Sequence, residues 1–127
     1  MFRALQSALF VRQGYGQVDL PFETMVQMHE EGGIYGGQHE YNLPGFTRDQ
    51  VKEIIPDVLV PEAQEKLLDD KGWWKQETQE TIDEVILRAK ESVAYFKTLA
   101  RGECKGKTIF GVSHAYFLHC FVYLLQS

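Results

Sequence analysis

The 127 residues hold no CxxC pair, no apolar run of membrane-spanning length and no basic stripe, and each absence removes a class of protein. Cysteine is confined to Cys104 and Cys120, too few and too far apart for a disulfide framework or a cysteine-based metal cage, so reduced thiols are expected. The longest mainly apolar stretch, 115–125, is interrupted by His119 and falls short of the ~20 residues that cross a bilayer. With 13 Lys plus Arg against 18 Asp plus Glu, the net charge of −5 leaves no positive surface to compete for a nucleic-acid backbone. What is present is ordinary globular usage, 44% hydrophobic and 24% charged, in a chain long enough to bury a core. One soluble domain over 1–127 is therefore expected, with no membrane span and no nucleic-acid partner. Its expected location is cytoplasmic.

The start of the chain carries Arg3 and Arg12, no acid through Val18, and Phe2, Leu5, Ala8 and Leu9 at helical spacing. A buried helix and an organelle presequence share this pattern. The buried helix is the reading taken, which leaves a mitochondrial location as the alternative.

Hydropathy patterning places a helix over 2–13 and a short extended segment over 18–22, separated by Gly14, Tyr15 and Gly16. Residues 29–45 hold five of the eleven glycines together with Tyr35, Tyr41, Asn42 and Pro44, which suits a long loop that lets backbone approach a ligand. Thr47 and Gln50 form a capping-box pair ahead of a short helix over 48–55, and Pro61 opens a second over 62–70. Trp73 and Trp74 follow Gly72, where adjacent aromatics plug a helix end against the core or form a ligand platform; packing is favoured. The strongest element runs over 80–100, with Ile82, Val85, Ile86, Ala89, Val93, Phe96 and Leu99 on one face and a Glu84–Arg88 pair on another. Residues 108–112 then read as a buried parallel strand, and 115–125 as a buried helix packing back on the sheet. Helix, strand, helix implies an α/β protein.

In such sheets ligands collect at the carboxyl ends of strands beside helix N-termini, which is where Ser113 and His114 fall. The run from Thr108 to His114, followed by Ala115, Tyr116, Phe117 and Leu118, resembles the C-terminal motif of the histidine phosphatase superfamily in its phosphoglycerate-mutase-like branch. Arg3, Ala4, Leu5, Gln6, Ser7 and Ala8 are similar to that family's arginine helix, and the loop from His29 to Tyr35 to the one that carries its acid. Glu80 and Thr81, with Arg88 and Ala89, resemble its segment before the penultimate long helix, although Gln79 stands where glycine is usual.

The resemblance implies a three-layer α/β/α domain with a mainly parallel sheet. It also implies phosphatase or phosphotransferase chemistry on a small phosphorylated substrate through a phosphohistidine. Arg3, Ser113 and Ala115 would bind substrate, His114 and Glu30 would be catalytic with Glu31 as the alternative acid, and neither cofactor nor metal is implied. The residue types suit that chemistry. A planar arginine binds a phosphoryl group bidentately, an imidazole donates to its oxygen, and a carboxyl beside a like charge can deliver a proton.

The chain departs from the family at one decisive point. No Arg-His-Gly segment is present, and none of His29, His39, His114 and His119 is flanked by Arg and Gly. The domain is thus expected to be partial at its N-terminus, with Met1 an internal methionine of a longer parent, and the chain as it stands inactive. The alternative is a non-catalytic structural or interaction subunit, a homo-oligomer or part of a larger assembly, whose uncovered core and sheet edge a partner must hide. Two metal readings fail on spacing. His29 and Glu30 begin a zinc-protease pattern that Gly33 breaks, and His114 and His119 turn to different faces of one helix.

Overall fold

The computed structural model describes residues 2–16, 19–33, 45–76 and 78–127. Its regular elements are helices: α1 (Phe2–Tyr15), α2 (Arg48–Ile54), α3 (Glu62–Glu65), α4 (Ile82–Arg101) and α5 (Ala115–Gln126), with a 3₁₀ turn at Val26–Met28. The chain divides into two compact units. The first comprises Met1–Ala8, Gln27–Glu31 and Thr81–Ser127, and the second Leu9–Val26 and Gly32–Glu80.

The first unit is organised by α4 and α5. Thr81 starts α4 with a capping box: its hydroxyl accepts from the Glu84 backbone N–H at 3.3 Å, and the Glu84 carboxylate accepts from the Thr81 N–H at 2.7 Å. Those two N–H groups would otherwise lack a partner in the first turn. Here the structure corrects the expected Glu84–Arg88 pair, since Glu84 turns back to the cap and Arg88 is buried. Val85 and Ala89 of α4 close on Phe117 of α5, with Met28, Cys120, Phe121 and Leu124 around them. Phe96 and Phe121 extend the contact edge-to-face, their centroids 5.4 Å apart.

In the second unit the capping box at Thr47 and Gln50 forms as the spacing predicts, and α2 buries Val51. The helix placed over 62–70 stops at Glu65. Beyond it the Leu67 and Leu68 N–H groups still bond to the Gln64 carbonyl, and the backbone then folds into a bridge between Asp69 and Gly72. The Gln64 side chain is itself buried and accepts from the Val26 N–H at 2.9 Å. Arg12 forks onto Asp57 at 2.5 and 3.0 Å and lies over the Phe22 ring, so its guanidinium holds the Asp57 carboxyl below the usual range. Trp73 and Trp74 are buried and meet edge-to-face, in keeping with packing rather than a ligand platform.

The three-layer α/β/α fold with a parallel sheet is not what forms. Among the described residues there is no β-strand, only two isolated bridges, Glu23 with Leu59 and Asp69 with Gly72. The segment 108–112, read as a buried strand, is neither helix nor strand and is largely exposed. The reason is physical: a β-branched apolar run favours a strand only when a second backbone takes up its N–H and C=O groups in a continuous ladder, and no such ladder forms among the described residues. Part of the extended segment over 18–22 lies outside the described residues, and the remainder is not a strand; just beyond it Glu23 bridges Leu59, whose N–H donates to the Phe22 carbonyl at 2.7 Å. The helix read as buried against a sheet is present as α5, yet within it only Phe117 is buried. Likewise α1 forms but buries only Leu5.

Candidate functional site

The site residues singled out by the sequence, Arg3, Glu30, Glu31, Ser113, His114 and Ala115, all belong to the first unit, and Glu30, Ser113 and His114 meet at the turn that carries His29 and Glu30. The side chain that builds this turn is Arg88. Its guanidinium, buried within α4, donates to the backbone carbonyls of Gln27 at 2.5 Å, His29 at 2.9 Å and Glu30 at 3.4 Å. It also lies over the Phe117 ring, 4.7 Å from its centre. A planar cation with several donors can hold a backbone turn in this way, whereas a lysine could not serve the same set of carbonyls in fixed geometry. Ser113 completes the clasp, its hydroxyl donating to the Met28 carbonyl.

Glu30 and His114 are thereby brought together, with the His114 Nδ1 3.6 Å from a Glu30 carboxylate oxygen. The other Glu30 oxygen accepts from the Glu31 N–H at 3.1 Å. His114 is the N-cap residue of α5 but makes no side-chain capping bond, and its Nε2 is buried without a hydrogen-bond partner among the described residues. Burial is the main cause that holds the imidazole below its ordinary value of 6.5; Glu30 pulls in the opposite direction and the charge of Arg3 adds to the lowering. Arg3 is exposed on α1, Ala115 is the exposed first residue of α5, and Glu31 is exposed beside Glu30. Of the loop placed over 29–45, residues 34–44, which include His39, lie outside the described residues.

Chemically, a carboxyl group 3.6 Å from an imidazole can share a proton with it, and the arrangement offers little more. Arg88, the best-placed cation, is occupied by carbonyl oxygens. Among the described residues no three of His, Cys, Asp and Glu converge as a metal-binding group would require. No protein-family model, curated protein or solved structure matches the chain.

The expectation of a histidine phosphatase of the phosphoglycerate-mutase-like branch is therefore overturned, and with it the phosphohistidine chemistry, the enzyme assignment and the small phosphorylated substrate. That chemistry needs His114 presented at the carboxyl end of a parallel sheet, and among the described residues no sheet stands before α5. Sequence reading also missed Arg88 as a buried organising residue. The available signal was its angular position: one turn after Val85's neighbour Glu84 and one turn before Ser92, Arg88 borders the apolar stripe rather than opposing it. Both Arg88 and Ser92 are buried.

Proposed function

We propose that the chain is a non-catalytic interaction subunit whose exposed apolar surface is covered in an assembly. The observation that carries this reading is α5. A helix apolar on most of its sides is normally enclosed, yet here Tyr123 is 70% exposed, Val122 46% and Leu125 44%. Along the same helix, Ala115, Leu118, His119, Val122, Tyr123 and Gln126 line an open hollow of about 450 Å³. Isolated exposed apolar residues are common on any surface, whereas a row at helical spacing marks a binding face. The arginine clasp fits the same reading, because it spends its polar groups on holding a turn rather than on a substrate.

Sedimentation and light scattering on the intact chain across a concentration series test this function. A dimer or larger species is expected. A monodisperse monomer up to high concentration, without binding of an apolar reporter dye, would overturn it.

A further inference from the structure

The segment that leads into α5 is seated on the Gln27–Glu31 turn by three contacts of different chemistry. The Ser113 hydroxyl donates to the Met28 carbonyl, the Met28 methyl lies beside Gly111, where an added Cβ would come within 3.9 Å of it, and His114 faces Glu30 with its Nδ1 3.6 Å from the carboxylate. The turn and the helix are also held without that segment: Arg88 fixes the carbonyls of the turn to α4, and the fully buried Phe117 fixes α5 to the same helix. Of the three seats, only the one between His114 and Glu30 can change charge.

The imidazole is placed so that a second proton is poorly tolerated. Its side chain is only 12% exposed, and its Nε2 is buried without a hydrogen-bond partner among the described residues. A neutral ring can leave one nitrogen as a bare acceptor at modest cost, whereas the imidazolium puts an unpaired N–H and a charge in the same place. The surrounding charges mostly oppose it. Arg3 of α1 and the amino terminus of the chain are positive, and α5 begins at the next residue with no acid in its first turn, presenting the positive end of its own dipole. On α4 Arg88 is bound to the carbonyls of the turn, and on the turn His29 has its Nδ1 2.7 Å from the Glu30 carbonyl. Glu30 is the one attraction. Its carboxylate is 39% exposed, lies farther from Nδ1 than a hydrogen bond reaches and also accepts from the Glu31 N–H, so water screens it.

From this geometry we infer that His114 is an acid-released latch: when its imidazole takes up a proton it leaves its buried seat for water, and residues 111–114 lift from the Gln27–Glu31 turn, while Arg88 and Phe117 keep the turn and α5 on α4. The Ser113–Met28 bond does not prevent this, because water replaces a hydroxyl on a carbonyl at little net cost. What the opening uncovers is Met28, which packs against the cluster of Val85, Ala89 and Phe117. The latch thus regulates access to an apolar surface inside the first unit, and it goes beyond the interaction reading without depending on it.

Nuclear magnetic resonance on the unsubstituted full chain tests the latch between roughly pH 5 and 8. The His114 ring should titrate below 6.5, and over the same range the Met28 methyl should become accessible to a water-soluble paramagnetic probe. The closed-to-open ratio should fall by about tenfold per pH unit below 6.5 until the midpoint of the closed form is passed. Amide protection in the middle of α4, corrected for intrinsic exchange, should not fall with it. His114→Gln should abolish the pH response of Met28, and Glu30→Gln should move the His114 titration lower still, since it removes the one attraction. Titration of His114 at or above 6.5, or a Met28 methyl that stays covered while His114 titrates, would overturn the latch. Persistence of the Met28 response in His114→Gln would assign it to His29 and overturn it too. So would loss of α4 protection in step with Met28 exposure, which is acid unfolding of the whole unit rather than release of one segment. Both main readouts come from the unsubstituted chain, so the test stands even where a variant fails to fold, and its outcome is separate from the sedimentation result that decides the interaction function.

Discussion

The Arg88 guanidinium lies over the face of the Phe117 ring, 4.7 Å from its centre, and so ties α4 to α5 at the point where the His29–Glu30 turn is held. A buried cation is tolerated there because carbonyl dipoles and an aromatic face replace the water it gives up.

Removing that cation strands the carbonyls of Gln27, His29 and Glu30. Arg88→Ala should lower stability by about 3 kcal/mol, with Arg88→Lys falling between it and the parent, measured as a shift in urea midpoint. Equal stability of all three proteins would contradict the clasp.

Phe117 is fully buried and stands at the centre of the first unit's core. Truncation to Ala should cost about 3–5 kcal/mol through lost burial and the cavity left behind. Tyr123→Ala on the same helix removes a side chain that is 70% exposed and should change stability by less than about 0.5 kcal/mol. Reversal of that order in thermal unfolding would show that the two faces of α5 are wrongly assigned.

The His114 imidazole is held below its ordinary 6.5, chiefly by burial. For such a group the unfolded chain binds the extra proton first, so its contribution to stability is present above the unfolded value of 6.5 and is lost as pH falls through the lower folded value. The parent should weaken on acidification below about 6.5, ahead of the carboxylates, and His114→Gln should flatten that limb. Urea midpoints collected between roughly pH 4 and 8 decide it. A slope that persists unchanged in the variant assigns the titration elsewhere.

The capping box of α4 satisfies two backbone donors with two side chains. Thr81→Ala should cost about 1 kcal/mol, and adding Glu84→Ala should cost less than the sum of the separate changes, because each half of the box depends on the other. Strict additivity in denaturant unfolding would rule out the reciprocal arrangement.

Gly33 has φ 65°, and a Cβ built on it would fall 1.9 Å from the Trp74 ring. Gly33→Ala therefore combines backbone strain with overpacking and should destabilise by about 2–3 kcal/mol. By contrast, Gly14→Ala meets nothing within 4 Å and lies in a helix, where alanine is favoured, so it should be neutral or stabilising. Thermal melts of the two variants side by side test the pair.

Local chemistry determined the helices. The Thr47–Gln50 box, the apolar period of α4 and the continuous apolar run of α5 each specify a helix from residues within a few positions of one another, and each forms. The Thr81–Glu84 box was equally readable, as Ser/Thr followed three residues later by Glu marks a helix start. Tertiary structure alone decided the fate of 108–112 and of Arg88. A strand is a relation between two backbones, so composition over 108–112 expresses only a preference, and among the described residues no ladder turns it into a strand. An arginine on the border of a helical stripe can face water or turn inward, and only the carbonyls that Gln27, His29 and Glu30 bring from far along the chain made the inward choice favourable for Arg88.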